Sequence, residues 1–182
     1  MKKLFFTLII ALVASALKPT AIMASDPEAD AAATLVAHAP KTDERIVLLR
    51  DFLSTHNSPM VGVAGHFVSE ADRLELDWKL VAAIAGVEST FGKHIPTNSY
   101  NAWGWGVFTG TNDGVHFKNW ADGITQVSEG LRYNYMDKGA TTIESVGRIY
   151  AASPRWANSV RFFINKIESF APTNPDLLSV TI

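Results

Sequence analysis

The chain has 182 residues, 47% hydrophobic and 19% charged, with 16 Lys and Arg against 18 Asp and Glu. This length and mixture predict one folded domain and exclude an intrinsically disordered chain. Cysteine is absent, which excludes thiol catalysis and cysteine metal sites.

Residues 1–24 have the order of an export signal: two lysines, an apolar run over 4–17, and small residues after it. The run is shorter than the roughly 20 residues that a membrane span needs. We therefore predict an exported protein, extracellular, cell-wall associated or periplasmic, cleaved after Ala24 or after Ala16. An uncleaved membrane anchor is the alternative.

Loss of the signal would remove three lysines and no acid, leaving 13 basic and 18 acidic side chains and a net charge of −5. No basic stripe remains, so we expect no nucleic-acid partner. We also expect a monomer with no stable membrane span after cleavage. The predicted organisation is a signal over 1–24, an Ala-rich linker over 25–40, a domain over 41–170 and a tail over 171–182.

Three helices are predicted before residue 93. Thr42, Ser58-Pro59 and Asp77 stand at their starts as capping residues, and the third helix should end near Gly92. The third helix carries on one face Val81, Ile84, Ala85 and Glu88.

The helical period is lost over residues 93–118, which are rich in Gly, Asn and aromatic residues. Val107-Phe108 and residues 115–117 are predicted to pair as a short hairpin across Asn112-Asp113-Gly114. A Gly-rich loop that carries aromatic side chains is typical of a functional segment.

Three further helices follow. Asn119 caps a helix that ends near Gly139, Thr141 and Glu144 form a capping box, and Ser153-Pro154 begins the last helix. The predicted fold is therefore mainly α, with about six helices and a short hairpin or loop insertion.

Glu88 continues the apolar stripe of the third helix. Burial disfavours an ionised carboxyl and raises its pKa, which suits a group that must donate a proton near neutral pH. The alternative from spacing alone is that Glu88 lies near the helix end and reaches water.

Four segments, in order, resemble those of a known family. Residues 83–92 (AIAGVESTFG) resemble the Glu-Ser-x-aromatic-Gly motif of lysozyme-like peptidoglycan enzymes. Residues 98–106 (NSYNAWGWG), 117–124 (FKNWADGI) and 149–156 (IYAASPRW) are similar to segments of the endo-β-N-acetylglucosaminidase family of bacterial autolysins. The resemblance covers about residues 75–168.

The resemblance implies a lysozyme-like helical fold with a cleft, Glu88 as catalytic acid, and Tyr150 beside the reacting sugar, positioning water or the acetamido group. Its substrate-binding residues would be Ser89, Tyr100, Asn101, Trp103 and Trp105. For Tyr150 and the loop aromatics the alternative is packing in the core. For Asn101 the alternative is a structural role, in which its side chain fixes the conformation of the loop.

A second carboxylate is less clear. Asp113 is the candidate, but Asn-Asp-Gly is also a common turn sequence, and substrate-assisted glycosidases use the acetamido oxygen instead. We expect no metal and no cofactor, because the five histidines are scattered and no phosphate loop occurs.

The resulting hypothesis is hydrolysis of a β-1,4 N-acetylhexosamine linkage in peptidoglycan. One alternative keeps the fold and is a lytic transglycosylase that forms 1,6-anhydro ends. The other is an inactive carbohydrate-binding module.

Overall fold

The computed structural model describes residues 43–106 and 114–171, which belong to a compact unit spanning 42–182. In these two ranges the chain is mainly helical, with six α-helices and no strand. The predicted mainly-α class is therefore confirmed. The predicted signal and linker, Val107-Phe108 and Asp113 lie outside the described residues, and the domain boundaries stay predictions.

The first half contains three α-helices: α1 (Glu44–Thr55), α2 (Ala64–Leu74) and α3 (Leu80–Ser89). A 3₁₀ turn, Val61–Val63, leads into α2. The cap of α1 is Asp43, whose carboxylate accepts a hydrogen bond from the backbone N–H of Arg45 at 2.9 Å. The predicted cap, Thr42, lies outside the described residues.

The second half contains α4 (Trp120–Gly130), α5 (Ile143–Tyr150) and α6 (Trp156–Glu168). Past α4 the chain continues through a π-helical turn, Leu131–Tyr135, and a 3₁₀ turn, Met136–Lys138. Asn119 caps α4 as predicted, accepting from the N–H of Asp122 at 2.9 Å.

The capping box of α5 is one residue later than predicted. Its members are Thr142 and Ser145, whose hydroxyls accept from each other's backbone N–H at 2.9 and 3.2 Å. Thr142 has the extended backbone of an N-cap, so Thr141 lies outside the helix. Glu144 instead forms an ion pair with Arg161 of α6.

Helix α3 lies in the centre of the core and packs most extensively against α6. Residues 80–86 are all buried, as expected for a helix that is apolar on every side. Because this helix ends at Ser89, Glu88 lies where the core meets the surface. Among the described residues, no helix is long and apolar enough to cross a membrane.

The chain reverses sharply after α3. Thr90 and Phe91 both have positive φ, 53° and 59°, a conformation that non-glycine residues adopt rarely. The reversal buries the Phe91 ring against Gly86, where an added Cβ would lie 2.7 Å from the ring. This packing fixes the end of the helix that carries Glu88.

Residues 115–117 form no strand in the described part of the chain. They approach the preceding loop through two backbone hydrogen bonds: the N–H of Val115 donates to the carbonyl of Trp105 at 3.0 Å, and that of Phe117 to the carbonyl of Ser99 at 2.8 Å. The insertion therefore packs as irregular backbone here.

Candidate active site

The Glu88 carboxyl lies between an indole and a glycine. Its Oε1 accepts a hydrogen bond from the Nε1–H of Trp156, the first residue of α6, at 2.7 Å. Its Oε2 lies beside Gly104, where an added Cβ would be 3.5 Å away. Glu88 as a whole is solvent-exposed, and its Oε1 is held by the indole of Trp156.

The surroundings of Glu88 favour its neutral form. Loss of solvation raises the pKa of the carboxyl above its ordinary value, and the hydrogen bond from Trp156 offsets part of that rise by stabilising the carboxylate. No neighbouring carboxylate among the described residues contributes to the shift. Loss of solvation, rather than repulsion from a neighbouring carboxylate, is therefore the main cause of the raised pKa of Glu88.

Tyr150, the last residue of α5, lies against the same indole. Its ring stacks on Trp156 with centroids 4.9 Å apart, and its hydroxyl donates to the backbone carbonyl of Trp103 at 2.7 Å. Burial and then the neighbouring charge of Glu88 raise the pKa of Tyr150 well above its usual value. The hydroxyl therefore stays protonated, and with its hydrogen committed to Trp103 it offers lone pairs as an acceptor.

Trp105 and Tyr135 complete an aromatic cluster with Tyr150 and Trp156. The Trp105 ring centroid lies 5.8 Å from that of Tyr150 and 6.1 Å from that of Tyr135, and the two tyrosine rings are 6.0 Å apart. Burial also raises the pKa of Tyr135. This aromatic cluster gives the Glu88 end of α3 an apolar wall that is drawn from three separate parts of the chain.

Asn101 organises the loop that leads to this cluster. Its Oδ1 accepts from the N–H groups of Trp103 and Trp105, at 3.3 and 2.9 Å. Its Nδ2 donates to the carbonyls of Trp105 and Val115, at 2.8 and 2.9 Å. The buried amide thus uses its full hydrogen-bonding capacity on backbone. This geometry supports the loop-fixing alternative over contact with an acetamido group.

Trp103 and Ser89 join the loop to the helices. Trp103 is fully buried, and its Nε1–H donates to the carbonyl of Val81 at 2.9 Å. The buried Ser89 hydroxyl donates to the carbonyl of Ala102 at 2.7 Å and accepts from the N–H of Gly92 at 2.8 Å. Neither side chain presents a surface to a ligand, so the geometry supports structural roles for both.

The two remaining loop aromatics have different surroundings. Tyr100 packs edge-on against Trp120, with centroids 5.2 Å apart. Trp105 is half-buried, and its ring lies on Gly130, where an added Cβ would overlap the ring. Of the three predicted stacking aromatics, Trp105 is the one that belongs to the aromatic cluster beside Glu88. Asp113 lies outside the described residues.

The sequence did not identify Trp156, Tyr135 or Gly104 as site residues. Trp156 appeared in the sequence analysis only as the last residue of the segment 149–156. A signal was nevertheless present, because a buried indole N–H needs an acceptor and Trp156 ends one of the four quoted segments. For Tyr135 no comparable signal exists, since its position depends on the π-helical turn.

No protein-family model and no curated protein matches this chain. Among residues 43–106 and 114–171, no group of three or more His, Asp or Glu side chains is placed to hold a metal ion.

Proposed function

We propose that the chain is an exported glycosidase that cleaves a β-1,4 N-acetylhexosamine linkage in peptidoglycan, with Glu88 as its general acid. The observation that carries the proposal is the Glu88 carboxyl: its pKa is raised by loss of solvation, and it is oriented by the indole of Trp156. A raised pKa makes a carboxyl better suited to protonate a glycosidic oxygen, because the group keeps its proton to higher pH.

The proton to be donated is on Oε2. In a neutral carboxyl the carbonyl oxygen is the better acceptor, and Oε1 already accepts from Trp156. The hydroxyl oxygen is then Oε2, beside Gly104. Oε2 forms no hydrogen bond with the described residues, so the leaving oxygen of the substrate would approach this oxygen.

Substrate assistance would supply the nucleophile that displaces the leaving oxygen. Paired carboxylates characterise most glycosidases, but no second carboxylate influences Glu88 among the described residues. The acetamido oxygen of the substrate would attack the anomeric carbon as Glu88 protonates the leaving oxygen, and water would then open the intermediate. Tyr150 would accept a hydrogen bond from the acetamido N–H or from that water. Asp113 stays the alternative for this role.

Digestion of purified peptidoglycan tests this function. We expect new reducing ends and products that carry one added water per bond broken. A lytic transglycosylase would give 1,6-anhydro ends, lighter by one water, because the 6-hydroxyl of the sugar attacks in place of water. Mass spectrometry of the digest separates these results. A digest without any new chain ends would contradict the enzyme proposal and favour the carbohydrate-binding module.

Trp156→Phe is expected to move the alkaline limb of the pH–rate profile to higher pH. The hydrogen bond from the indole stabilises the carboxylate, so its loss raises the pKa of Glu88 further. Glu88 would keep its proton to higher pH, but turnover at the optimum would fall because the carboxyl is less well oriented.

The matched control is Trp120→Phe, a half-buried tryptophan that packs on Tyr100. This control should leave the limb unchanged. An unshifted limb in Trp156→Phe would show that this hydrogen bond does not tune the acid.

A further inference from the structure

A concave surface beside α4 shares one side chain with the aromatic cluster. This α4 groove has a volume of about 310 Å³ and is lined by Trp105, Gln126, Glu129, Gly130, Tyr133 and Asn134. Trp105 belongs to both, since its ring contacts Tyr150 as well as lining the groove. The groove and the aromatic cluster therefore adjoin at the Trp105 side chain.

The groove carries the groups that recognise neutral sugars. Tyr133 is 51% exposed and offers a ring face. The amide of Asn134 is exposed and has no partner among the described residues, and that of Gln126 uses its nitrogen on Asp122 at 3.0 Å, leaving its oxygen available. Together they present an aromatic surface with a hydrogen-bond donor and acceptors beside it, the combination expected in a pocket for a polar ligand.

The backbone beneath these groups is unusual. Tyr133, Asn134 and Tyr135 lie in the π-helical turn Leu131–Tyr135, and such turns occur frequently at functional sites. The turn directs Tyr133 and Asn134 to the groove while Tyr135 joins the aromatic cluster. One local distortion therefore supplies both surfaces.

Charges at the groove are compensated. Glu129 pairs with Arg73 at 2.9 Å, and the neighbouring Arg132 pairs with Asp137 at 3.0 Å. No free cation among the groove's described residues is available for an anionic group. A neutral ligand is favoured over a peptide carboxylate.

We propose that the α4 groove is a glycan-binding subsite that holds an N-acetylhexosamine unit of the strand away from the bond that is cut. Tyr133 stacks on the sugar face, and Asn134 and Gln126 hydrogen-bond its hydroxyl or acetamido groups. The proposal rests on the proposed function for its ligand class. A bound glycan strand would then contact the protein on both sides of Trp105, the side that faces the aromatic cluster and the side that faces α4.

The test measures calorimetric binding of peptide-free N-acetylglucosamine dimer and hexamer to the Glu88→Gln protein, alone and combined with Tyr133→Ala or Asn134→Ala. Each second substitution should weaken hexamer binding by about tenfold and leave dimer binding unchanged, because only the longer ligand spans both surfaces. The matched controls are Phe162→Ala and Asn165→Ala, an exposed aromatic and an exposed amide on α6, which should change neither affinity.

The possible results distinguish failure of the groove proposal from failure of the proposed hydrolysis. Hexamer affinity unchanged by Tyr133→Ala and Asn134→Ala overturns the groove proposal. If the wild-type protein cuts no bond in peptidoglycan but hexamer binding still depends on Tyr133, the proposed hydrolysis is wrong and the groove proposal holds. Melting temperatures equal to that of Glu88→Gln alone show that both groove variants are folded.

Discussion

Glu88→Gln is expected to lower turnover on peptidoglycan by about 100- to 10,000-fold, the range that general acid catalysis contributes. The amide has the shape of the carboxyl and still accepts from Trp156, so substrate binding should change little. It has no proton to give to a leaving oxygen. The measurement is the initial rate of reducing-end release at saturating substrate.

The control for this substitution is Glu168→Gln, an exposed glutamate at the end of α6, which should keep the wild-type rate. Stability provides a second check. Because the pKa of Glu88 is raised in the folded protein, its contribution is most favourable below the unfolded pKa and is lost as pH rises through the folded pKa. Glu88→Gln should therefore be more stable than the wild type at neutral pH and lose that advantage in acid. Near-normal turnover by Glu88→Gln would reject Glu88 as the acid.

Trp103→Ala is expected to destabilise the fold by about 3–5 kcal/mol, the usual cost of truncating a buried Trp. Trp103 is fully buried and its indole hydrogen-bonds the carbonyl of Val81, so the substitution leaves both a cavity and an unpaired acceptor. It also removes the packing that joins the loop to α3. Urea unfolding followed by circular dichroism measures the loss.

Trp105→Ala is the matched control, because Trp105 is half-buried and its indole forms no hydrogen bond with the described residues. Its loss should cost clearly less stability and should weaken glycan binding. The sequence left both sugar contact and core packing open for each of these tryptophans. If Trp105→Ala destabilises the fold as strongly as Trp103→Ala, this division of roles is wrong.

The helices were predictable because their signals are local. Apolar periodicity together with capping residues such as Asn119 locates most of the elements within a few residues. The capping box was misplaced by one residue because Thr141 and Thr142 are adjacent and both can cap, and only the backbone conformation of Thr142 separates them.

The loop was less predictable because its side chains act over long distances. Asparagine, tryptophan and tyrosine side chains can bind sugars and can also pack a loop onto the core. The sequence alone therefore leaves both roles open for Asn101, Trp103 and Tyr100. The difference lies in partners far along the chain: Val81 and Phe117 for Trp103, Trp120 for Tyr100. Glu88 was identified by its motif. Its hydrogen bond to Trp156 was not, because the two residues are 68 positions apart in sequence.

The most direct test of Glu88 as general acid compares two titrations of the same protein. The carboxyl carbon of Glu88, assigned in ¹³C NMR spectra by its absence from Glu88→Gln, gives the pKa of the group. The alkaline limb of the pH profile of kcat/KM gives the pKa of the acid that catalysis needs in the free enzyme. We predict that both lie at the same pH, above the ordinary value for Glu of about 4.3. Activity that continues unchanged through the pH at which Glu88 loses its proton would contradict the assignment.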